Sequence, residues 1–201
     1  MEQGFVKVAS ATPRIRVADP VYNAQVICEQ AKEAAEHGAK IVVFPELCIT
    51  GYTCNDLFLQ ELLLEKAKEA LLTIAEETGQ LETLFLVGLP VDKDGRLYNV
   101  AAVLYRGRIL GMIPKKNIPM YAEFYEGRHF TPGEETVTEY RLGKQVIPFG
   151  SNLLFRCEEL PELILGCELC EDLWVAEPPS TSHALMGATV IANLSASNET
   201  V

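Results

Sequence analysis

The sequence predicts one α/β domain, in which buried strands alternate with amphipathic helices. The chain has 201 residues, of which 48% are hydrophobic, and that is enough to build one sizeable core. The run 40-KIVVFP-45 is short and continuously apolar, as is typical of a strand buried on both faces. Residues 19–38 instead carry apolar residues at helical spacing. Since neither a repeat nor a linker divides the chain, we treat residues 1–201 as a single domain.

The N-terminal part predicts a strand, a helix and a second strand. Residues 5–9 alternate in polarity and indicate the first strand. Asp19 is placed to cap the helix that follows, Pro20 suits its first turn, and Gly38 stands just after its end. The strand at 40–45 comes next, so we expect a parallel pair joined by a right-handed crossover.

The remainder continues with further strands and one more long helix. A helix is predicted over 58–78 because apolar residues recur on one face, starting with Leu63 and Ala67. Residues 119–136 have no period and predict a long ordered loop, a feature that is often functional in compact domains. The other predicted elements are a loop at 51–57, strands near 84–89, 97–105, 109–113, 145–156, 162–168 and 189–194, and a short helix over 178–187.

Charge and composition argue against several classes of protein. The net charge is −11, which disfavours a nucleic-acid or anionic-membrane surface. No apolar run approaches the roughly 18–20 residues that a membrane span needs, and the first residues do not read as a secretory signal. We therefore expect a cytoplasmic protein whose six cysteines are thiols, with neither nucleic acid nor membrane as a partner. Because the sequence stops soon after the strand at 189–194, we also expect the domain to be incomplete at its C-terminus.

The stretch 166-GCELCEDLW-174 contains two cysteines three residues apart, which suggests a metal clip, a redox pair or a single nucleophile. A zinc site needs a second pair of ligands, and none of the three histidines stands at ligand spacing. A redox pair usually opens a helix, whereas acidic residues follow here. A nucleophile needs partners elsewhere in the chain.

Three predicted strands end in a chemically reactive side chain. Glu46 follows one strand, Lys115 another and Cys170 a third, and ligand chemistry in α/β folds collects at such strand ends. An ammonium about 4 Å from a thiol could favour the thiolate by up to about 4 kcal/mol at an effective dielectric near 20. A carboxylate could instead accept the thiol proton, while the ammonium stabilises an oxyanion. Each residue type taken alone is more often structural: a solvated carboxylate, an exposed lysine or a buried cysteine.

At these positions the sequence resembles the nitrilase, or carbon–nitrogen hydrolase, superfamily, and more closely its glutaminase branch in glutamine-dependent NAD synthetases. The resemblance rests on four stretches that occur in the order typical of that family and span nearly the whole chain. They are 42-VVFPELCITGYTCNDLF-58, 114-PKKNIPMYAEFYEGRHF-130, 167-CELCEDLWVAEPPS-180 and 187-GATVIANLSASNE-199.

The resemblance implies a four-layer α-β-β-α sandwich and a catalytic role for each of the strand-end residues. Glu46 would be the general base, Lys115 the oxyanion-stabilising lysine, with Lys116 a less favoured alternative, and Cys170 the nucleophile. Glu123 would support the lysine, and Cys167 would be a buried strand residue. The resemblance also implies a glutamine pocket formed by Tyr52, Tyr121, Phe124, Glu171 and Ser197.

The implied reaction is hydrolysis of the glutamine amide through a cysteine thioester, with no cofactor or metal in this domain. The ammonia would pass to a synthetase domain, which uses ATP and magnesium to amidate nicotinic acid adenine dinucleotide. This chain has neither an SGGxDS-type loop nor a Walker-type motif, so we expect that domain to be absent from it. The family further implies a homo-oligomer. One alternative is a stand-alone amidase or nitrilase that acts on another small amide or nitrile. A second is a degenerate nitrilase-like domain that has no catalytic activity and serves assembly only, which the presence of all three catalytic residue types disfavours.

Overall fold

A computed structural model describes residues 4–197 of the protein. Within these residues, none of the helices is long and apolar enough to cross a membrane. The α-helices are α1 (Pro20–Glu36), α2 (Glu61–Glu77) and α3 (Pro179–Leu185), and 3-10 helices span Tyr52–Leu59, Glu126–Arg128 and Cys170–Trp174. The strands are β1 (Val8–Ser10), β2 (Ile41–Val43), β3 (Leu84–Lys93), β4 (Arg96–Tyr105), β5 (Arg108–Pro114), β6 (Thr138–Leu142), β7 (Gln145–Phe149), β8 (Leu154–Arg156), β9 (Ile164–Leu169) and β10 (Val190–Leu194).

The strands form two sheets. The larger sheet has seven strands in the order β1-β2-β3-β4-β5-β7-β6, and the smaller has three in the order β10-β9-β8. Strands β1, β2 and β3 are parallel, which confirms the parallel pair predicted for the N-terminal unit. Strands β3, β4 and β5 are antiparallel neighbours, and β9 runs parallel to β10.

Side-chain alternation along β4 separates two hydrophobic cores. Val100 and Ala102 face the core beneath the helices, where they join Ile27 of α1 and Leu71 of α2. Because successive side chains of a strand point to opposite faces, Ala101 lies in the other core. That core lies between the sheets and also contains Leu165, Cys167, Leu169, Ala192 and Leu194 of the smaller sheet.

Helix α3 covers the outer face of the smaller sheet. His183 of α3 lies directly against Gly166 of β9, where an added Cβ would be 2.8 Å from the imidazole Nδ1. The backbone N–H of Ser180 donates to Oε2 of Glu168 on the same face of β9 at 2.9 Å. The layers are therefore helices, sheet, sheet and helix, which confirms the predicted four-layer sandwich.

Several boundaries differ from the sequence prediction. Strand β6 lies just after the predicted loop and was not predicted, since only Tyr140 and Leu142 of its five residues are buried. The single strand expected over 145–156 is two strands that belong to different sheets. The predicted loop at 51–57 is a 3-10 helix that is kinked at Asn55, whose φ is 50°. These are short elements, whose local patterns are weak compared with tertiary packing.

Candidate active site

A buried lysine lies directly after β5. The ammonium of Lys115 donates to Oε1 of Glu46 at 2.7 Å and to Oε1 of Glu126 at 2.5 Å, and the lysine is 0% exposed. Burial by itself lowers the pKa of Lys115, but the two carboxylates outweigh burial and raise this pKa above its usual value. Lys115 is therefore a cation at neutral pH, held between two carboxyl groups and buried from solvent.

The carboxylate that supports the lysine is Glu126. The sequence prediction placed Glu123 in this role, but the side chain of Glu123 is exposed in the loop after β5. Glu126 is 5% exposed, opens a 3-10 helix in the same loop, and also accepts a hydrogen bond from the Tyr52 hydroxyl at 2.8 Å. The structure therefore places Glu126, three residues beyond the predicted Glu123, against Lys115, and nothing in the irregular stretch YAEFYEGRHF indicates which glutamate turns inward.

The backbone that carries Glu46 packs against Gly88 of β3. A Cβ at Gly88 would lie 2.3 Å from the Leu47 nitrogen and 2.6 Å from the Pro45 carbonyl oxygen. Leu47 itself has a φ of 52°, so the chain turns sharply right after Glu46. Glycine in β3 thus permits a turn that directs the Glu46 carboxylate to Lys115.

Cys170 lies at the sharp turn between β9 and the following 3-10 helix. Its φ of 43° is unusual for a residue with a side chain, and its Sγ lies 3.8 Å from Oγ of Ser197. The buried carboxylate of Asp172 holds the turn, since it accepts hydrogen bonds from the backbone N–H groups of Leu169 and Asn117 at 3.1 and 2.7 Å. Asp172 therefore fastens the cysteine turn to the segment that follows Lys115.

The surroundings of Cys170 keep it a thiol at rest. Burial raises the pKa of Cys170, the charge of Glu46 raises it further, and Lys115 opposes both. Of the two possibilities raised by the sequence, ionisation of the thiol by the ammonium is the less favoured, because burial and the charge of Glu46 outweigh Lys115 and the pKa of Cys170 is raised. Burial also raises the pKa of Glu46, more than its hydrogen bonds to Lys115 and Asn99 lower it. A basic carboxylate next to a neutral thiol is suited to proton transfer during attack.

The residues predicted to form a substrate pocket line one side of this site. Tyr52 packs edge-on against Phe124, and Phe124 packs edge-on against Tyr121, with ring centroids 6.4 and 5.7 Å apart. The Tyr121 hydroxyl donates to Oε2 of Glu171 at 2.7 Å. Together with the contact of Ser197 to Cys170, these interactions connect the predicted pocket residues to the reactive groups.

The other cysteines close to these segments are buried rather than reactive. Cys167 is 0% exposed between the sheets, as expected, and burial raises the pKa of Cys48 to about 12. Burial also raises the pKa of Cys54. All six cysteines are free thiols, and among residues 4–197 no group of three or more acidic, histidine or cysteine side chains is placed to hold a metal ion. Because thiolates are the form that oxidises readily, the raised pKa values of Cys48, Cys54 and Cys167 disfavour oxidation of these cysteines.

Sequence analysis missed two polar residues of the site. Asp172 lies in the segment CEDLW, beside the predicted nucleophile. Asn99 lies in the middle of β4, and its side-chain amide contacts both Glu46 and Glu126. The signal for Asn99 was present, because a lone amide inside the apolar run LYNVAAVLY must find hydrogen-bond partners when it is buried.

Comparisons with known proteins agree on the family. Residues 7–200 match the family described as carbon–nitrogen hydrolase. A glutamine-dependent NAD(+) synthetase of Mycobacterium tuberculosis (strain H37Rv) is 42% identical over 200 residues, which is 100% of this chain and 30% of that relative. One of Thermotoga maritima is 35% identical over 176 residues, 87% of this chain and 27% of that relative. The chain thus spans about 30% of the length of the curated relatives it matches.

Solved structures show the same fold. A glutamine-dependent NAD(+) synthetase from Cytophaga hutchinsonii superimposes with a TM-score of 0.84 at 30% identity, covering 96% of this chain and 30% of that one. An amidase from Nesterenkonia sp. AN1, with a covalent adduct at its active-site cysteine, superimposes with a TM-score of 0.73 at 20% identity. The superposition covers 94% of this chain and 64% of the amidase, and at this identity it shows only that the two proteins share a fold. With the family match over residues 7–200, these findings establish that the chain belongs to the carbon–nitrogen hydrolase family.

Proposed function

We propose that this chain hydrolyses the side-chain amide of glutamine, with Cys170 as nucleophile, Glu46 as general base and Lys115 as the cation that stabilises the oxyanion. The observation that carries the proposal is the buried contact of Lys115 with Glu46 and Glu126, next to a cysteine on a sharp turn. A buried cation is costly unless it is paired, so its presence in the core at this point indicates a function.

The first half of the reaction forms a thioester. Sγ of Cys170 attacks the amide carbon while its proton passes to the carboxylate of Glu46. Negative charge develops on the amide oxygen, where the ammonium of Lys115 stabilises it. Glu46 then returns the proton to the leaving nitrogen, and ammonia departs. This sequence needs no histidine, because the basic carboxylate carries the proton in both directions.

The second half regenerates the free thiol. Glu46, now ionised again, accepts a proton from a water molecule, which attacks the thioester carbon. The resulting oxyanion again faces Lys115, and its collapse expels the thiolate of Cys170. Glu46 returns the proton to sulfur, and glutamate is the product.

Two features support glutamine as the substrate. The curated relatives that align along the chain are named glutamine-dependent. The carboxylate of Glu171 lies beside Tyr121 at the exposed side of the site, where an anion is suited to bind the α-ammonium group of an amino acid. Phe124 packs between Tyr52 and Tyr121 and supplies an apolar wall for the side-chain methylenes of such a substrate.

We further propose that the ammonia serves a synthetase domain outside this chain. The named relatives are NAD(+) synthetases, and this chain aligns with only about 30% of their length. In that arrangement, ATP and magnesium belong to the synthetase domain, which would amidate nicotinic acid adenine dinucleotide. The glutaminase site described above uses neither.

Covalent labelling with an electrophilic glutamine analogue tests the proposal. We expect exclusive modification of Cys170, blocked by excess glutamine, when peptides containing all six cysteines are mapped by mass spectrometry. The variant Cys170→Ser should take up no label, whereas the matched variant Cys167→Ser should label normally. Labelling spread over several cysteines, or labelling of Cys170 that glutamine does not block, would contradict the assignment.

A stand-alone amidase is the second candidate. The same cysteine, carboxylate and lysine could hydrolyse another small amide, and an amidase from Nesterenkonia sp. shares the fold over 94% of this chain. Hydrolysis of short aliphatic amides with higher kcat/KM than glutamine, together with no labelling by the glutamine analogue, would support this reading.

A further inference from the structure

One buried side chain joins both carboxylates of the site. Asn99 lies in the middle of β4, is 0% exposed, and donates from Nδ2 to Oε1 of Glu46 at 2.7 Å and to Oε2 of Glu126 at 3.2 Å. Its backbone carbonyl also accepts the N–H of Lys115 at 2.8 Å. No other described residue contacts Glu46, Lys115 and Glu126 together through hydrogen bonds.

The orientation of this amide follows from its neighbours. Both groups facing Nδ2 are carboxylates, which accept hydrogen bonds, so a rotated amide would direct its oxygen at two anions. The observed orientation leaves Oδ1 of Asn99 buried without a hydrogen-bond partner among the described residues. A buried acceptor is left unpaired only at a cost, and here the two donated bonds compensate for it.

The two oxygens of Glu46 are consequently not equivalent. Oε1 accepts hydrogen bonds from Nζ of Lys115 at 2.7 Å and from Nδ2 of Asn99 at 2.7 Å. Among residues 4–197, Oε2 accepts only the backbone N–H of Ala196, at 3.2 Å, and Ala196 precedes the serine that touches Sγ of Cys170. Oε1 thus accepts two hydrogen bonds and Oε2 one, and the N–H of Ala196 that binds Oε2 also hydrogen-bonds Cys170.

We propose that Asn99 is a positioning residue that holds Oε1 of Glu46, so that Oε2 is the atom which exchanges protons with Cys170. This inference rests on the proposed function and deepens it. In the first step the S–H bond of Cys170 breaks, its proton goes to Oε2, and the sulfur electron pair forms the bond to the amide carbon. The π electrons of the carbonyl move to oxygen beside Lys115, so charge and atoms balance.

The proposal has a consequence for pH dependence. The bond from Asn99 favours the ionised form of Glu46, so its removal raises the pKa of Glu46. The base must be ionised to accept a proton, and the acid limb of the rate profile therefore moves to higher pH when the bond is lost. The charged and titratable groups that face Glu46 are Lys115, Glu126, Cys170 and Tyr52, and all of them remain in the variant.

The test compares Asn99→Leu with Asn23→Leu in the full chain. Asn23 is also 0% exposed and donates two hydrogen bonds, but to the backbone carbonyls of Arg16 and Ile49 rather than to carboxylates. We expect Asn99→Leu to lower kcat for glutamine about 10–100-fold with KM within about twofold, and to move the acid limb up by about one pH unit. Asn23→Leu should leave the acid limb where it is in the unchanged protein.

A second readout does not depend on glutamine. The rate at which iodoacetamide alkylates Cys170 as a function of pH should show the same upward shift in Asn99→Leu. If that variant does not fold, Asn99→Ser carries the test, since a hydroxyl can donate to only one of the two carboxylates.

The outcomes separate the two proposals. The positioning role would be overturned if the pH profiles of hydrolysis and alkylation did not shift in a folded Asn99 variant, or if Asn23→Leu shifted them equally. If the unsubstituted protein does not hydrolyse glutamine but Asn99→Leu still shifts the pH dependence of Cys170 alkylation, the role of Asn99 is kept and the proposed glutaminase function is overturned.

Discussion

At the scale of single residues, the site depends on an excess of negative charge around one cation. Lys115 is hydrogen-bonded to both Glu46 and Glu126, so the buried group carries two anions and one cation. Isolated buried charges are costly, and incomplete neutralisation is tolerated where a group must take up a proton. Burial, reinforced by the charge of Glu126, makes Glu46 a better base, and burial together with the charge of Glu46 explains why Cys170 is not a thiolate at rest.

The first prediction concerns which glutamate supports the lysine. Glu126→Gln removes one of the two carboxylates on Lys115, and we expect hydrolysis to fall by about 100-fold or more because the ammonium loses its position. Glu123→Gln changes an exposed glutamate of the same loop and serves as the matched control. Steady-state kinetics on both variants test this prediction. A larger loss of activity for Glu123→Gln would instead assign the supporting role to Glu123.

The second prediction concerns the stability cost of the base. Burial raises the pKa of Glu46 in the folded protein above the value of about 4.3 that it has in the unfolded chain. The protonated carboxyl group therefore stabilises the folded state below about pH 4.3, and this stabilisation is lost as the pH rises through the folded-state pKa. We expect Glu46→Gln to lose activity by about 10²–10⁴-fold and to gain stability relative to the unchanged protein as pH rises. Urea unfolding at pH 5 and pH 8 measures this. A relative loss of stability at pH 8 would show that the ionised carboxylate is favoured by folding.

At the scale of elements, short turns after strands place the reactive groups. The turns after β2 and β9 contain residues with positive φ, Leu47 and Cys170, and each turn is held by one specific interaction. Gly88 admits the first turn, and Asp172 fastens the second. Backbone strain at such positions persists because the surrounding structure holds it.

The third prediction is that a single methyl group disrupts the Glu46 turn. Gly88→Ala places a Cβ against the backbone of Pro45 and Leu47, which cannot yield as a side chain can. We expect lower activity and lower stability together. Gly111→Ala in β5 is the control, because its Cβ would meet the tip of the Phe155 ring, which can move. Thermal unfolding and kinetics that rank the two variants in the opposite order would refute this account of the turn.

The fourth prediction concerns the turn that carries the nucleophile. Asp172→Asn replaces an oxygen that accepts hydrogen bonds from backbone N–H groups with an NH₂ group that can only donate. Two sets of N–H donors then face each other in a buried site without an acceptor. We expect a stability loss of about 1–3 kcal/mol and slower alkylation of Cys170. The exposed Asp56, which pairs with Arg128 on the surface, provides the comparison Asp56→Asn, for which activity should stay within about twofold.

At the scale of the whole molecule, the site exists only where the two sheets meet. Glu46 and Lys115 belong to the seven-stranded sheet, whereas Cys170 follows β9 of the smaller sheet. The core between the sheets therefore sets the distance between the proposed base, Glu46, and the proposed nucleophile, Cys170. The core beneath α1 and α2 stabilises the fold without contributing a reactive group.

The fifth prediction compares how the two cores contribute to stability and to activity. Leu165→Ala, between the sheets, and Leu71→Ala, beneath the helices, each remove a fully packed side chain and should cost about 2–5 kcal/mol. Only Leu165→Ala should also lower kcat per folded molecule, because it loosens the strand that leads to Cys170. Equal kcat values in the two folded variants would show that the sheet interface does not control the site.

The sequence by itself indicated the three residues that the proposed mechanism uses and determined most of the elements that carry them. Glu46, Lys115 and Cys170 were recognisable from their places after apolar strands and from the stretches around them. The two long helices were predicted to within a few residues, because helical periodicity and caps are local signals. The confirmed four-layer arrangement was implied by resemblance to a family rather than by these patterns.

Tertiary structure alone decided which groups meet and what charge they carry. Glu126 rather than Glu123 reaches Lys115 because an irregular loop has no period from which an inward face can be read. Asn99 could be noticed in its strand, but its two carboxylate partners come from distant parts of the chain. The thiol state of Cys170 likewise depends on burial and on the charges of Glu46 and Lys115, which folding brings close to it. Local patterns encode the elements, whereas pKa values depend on distances in space that no local pattern contains.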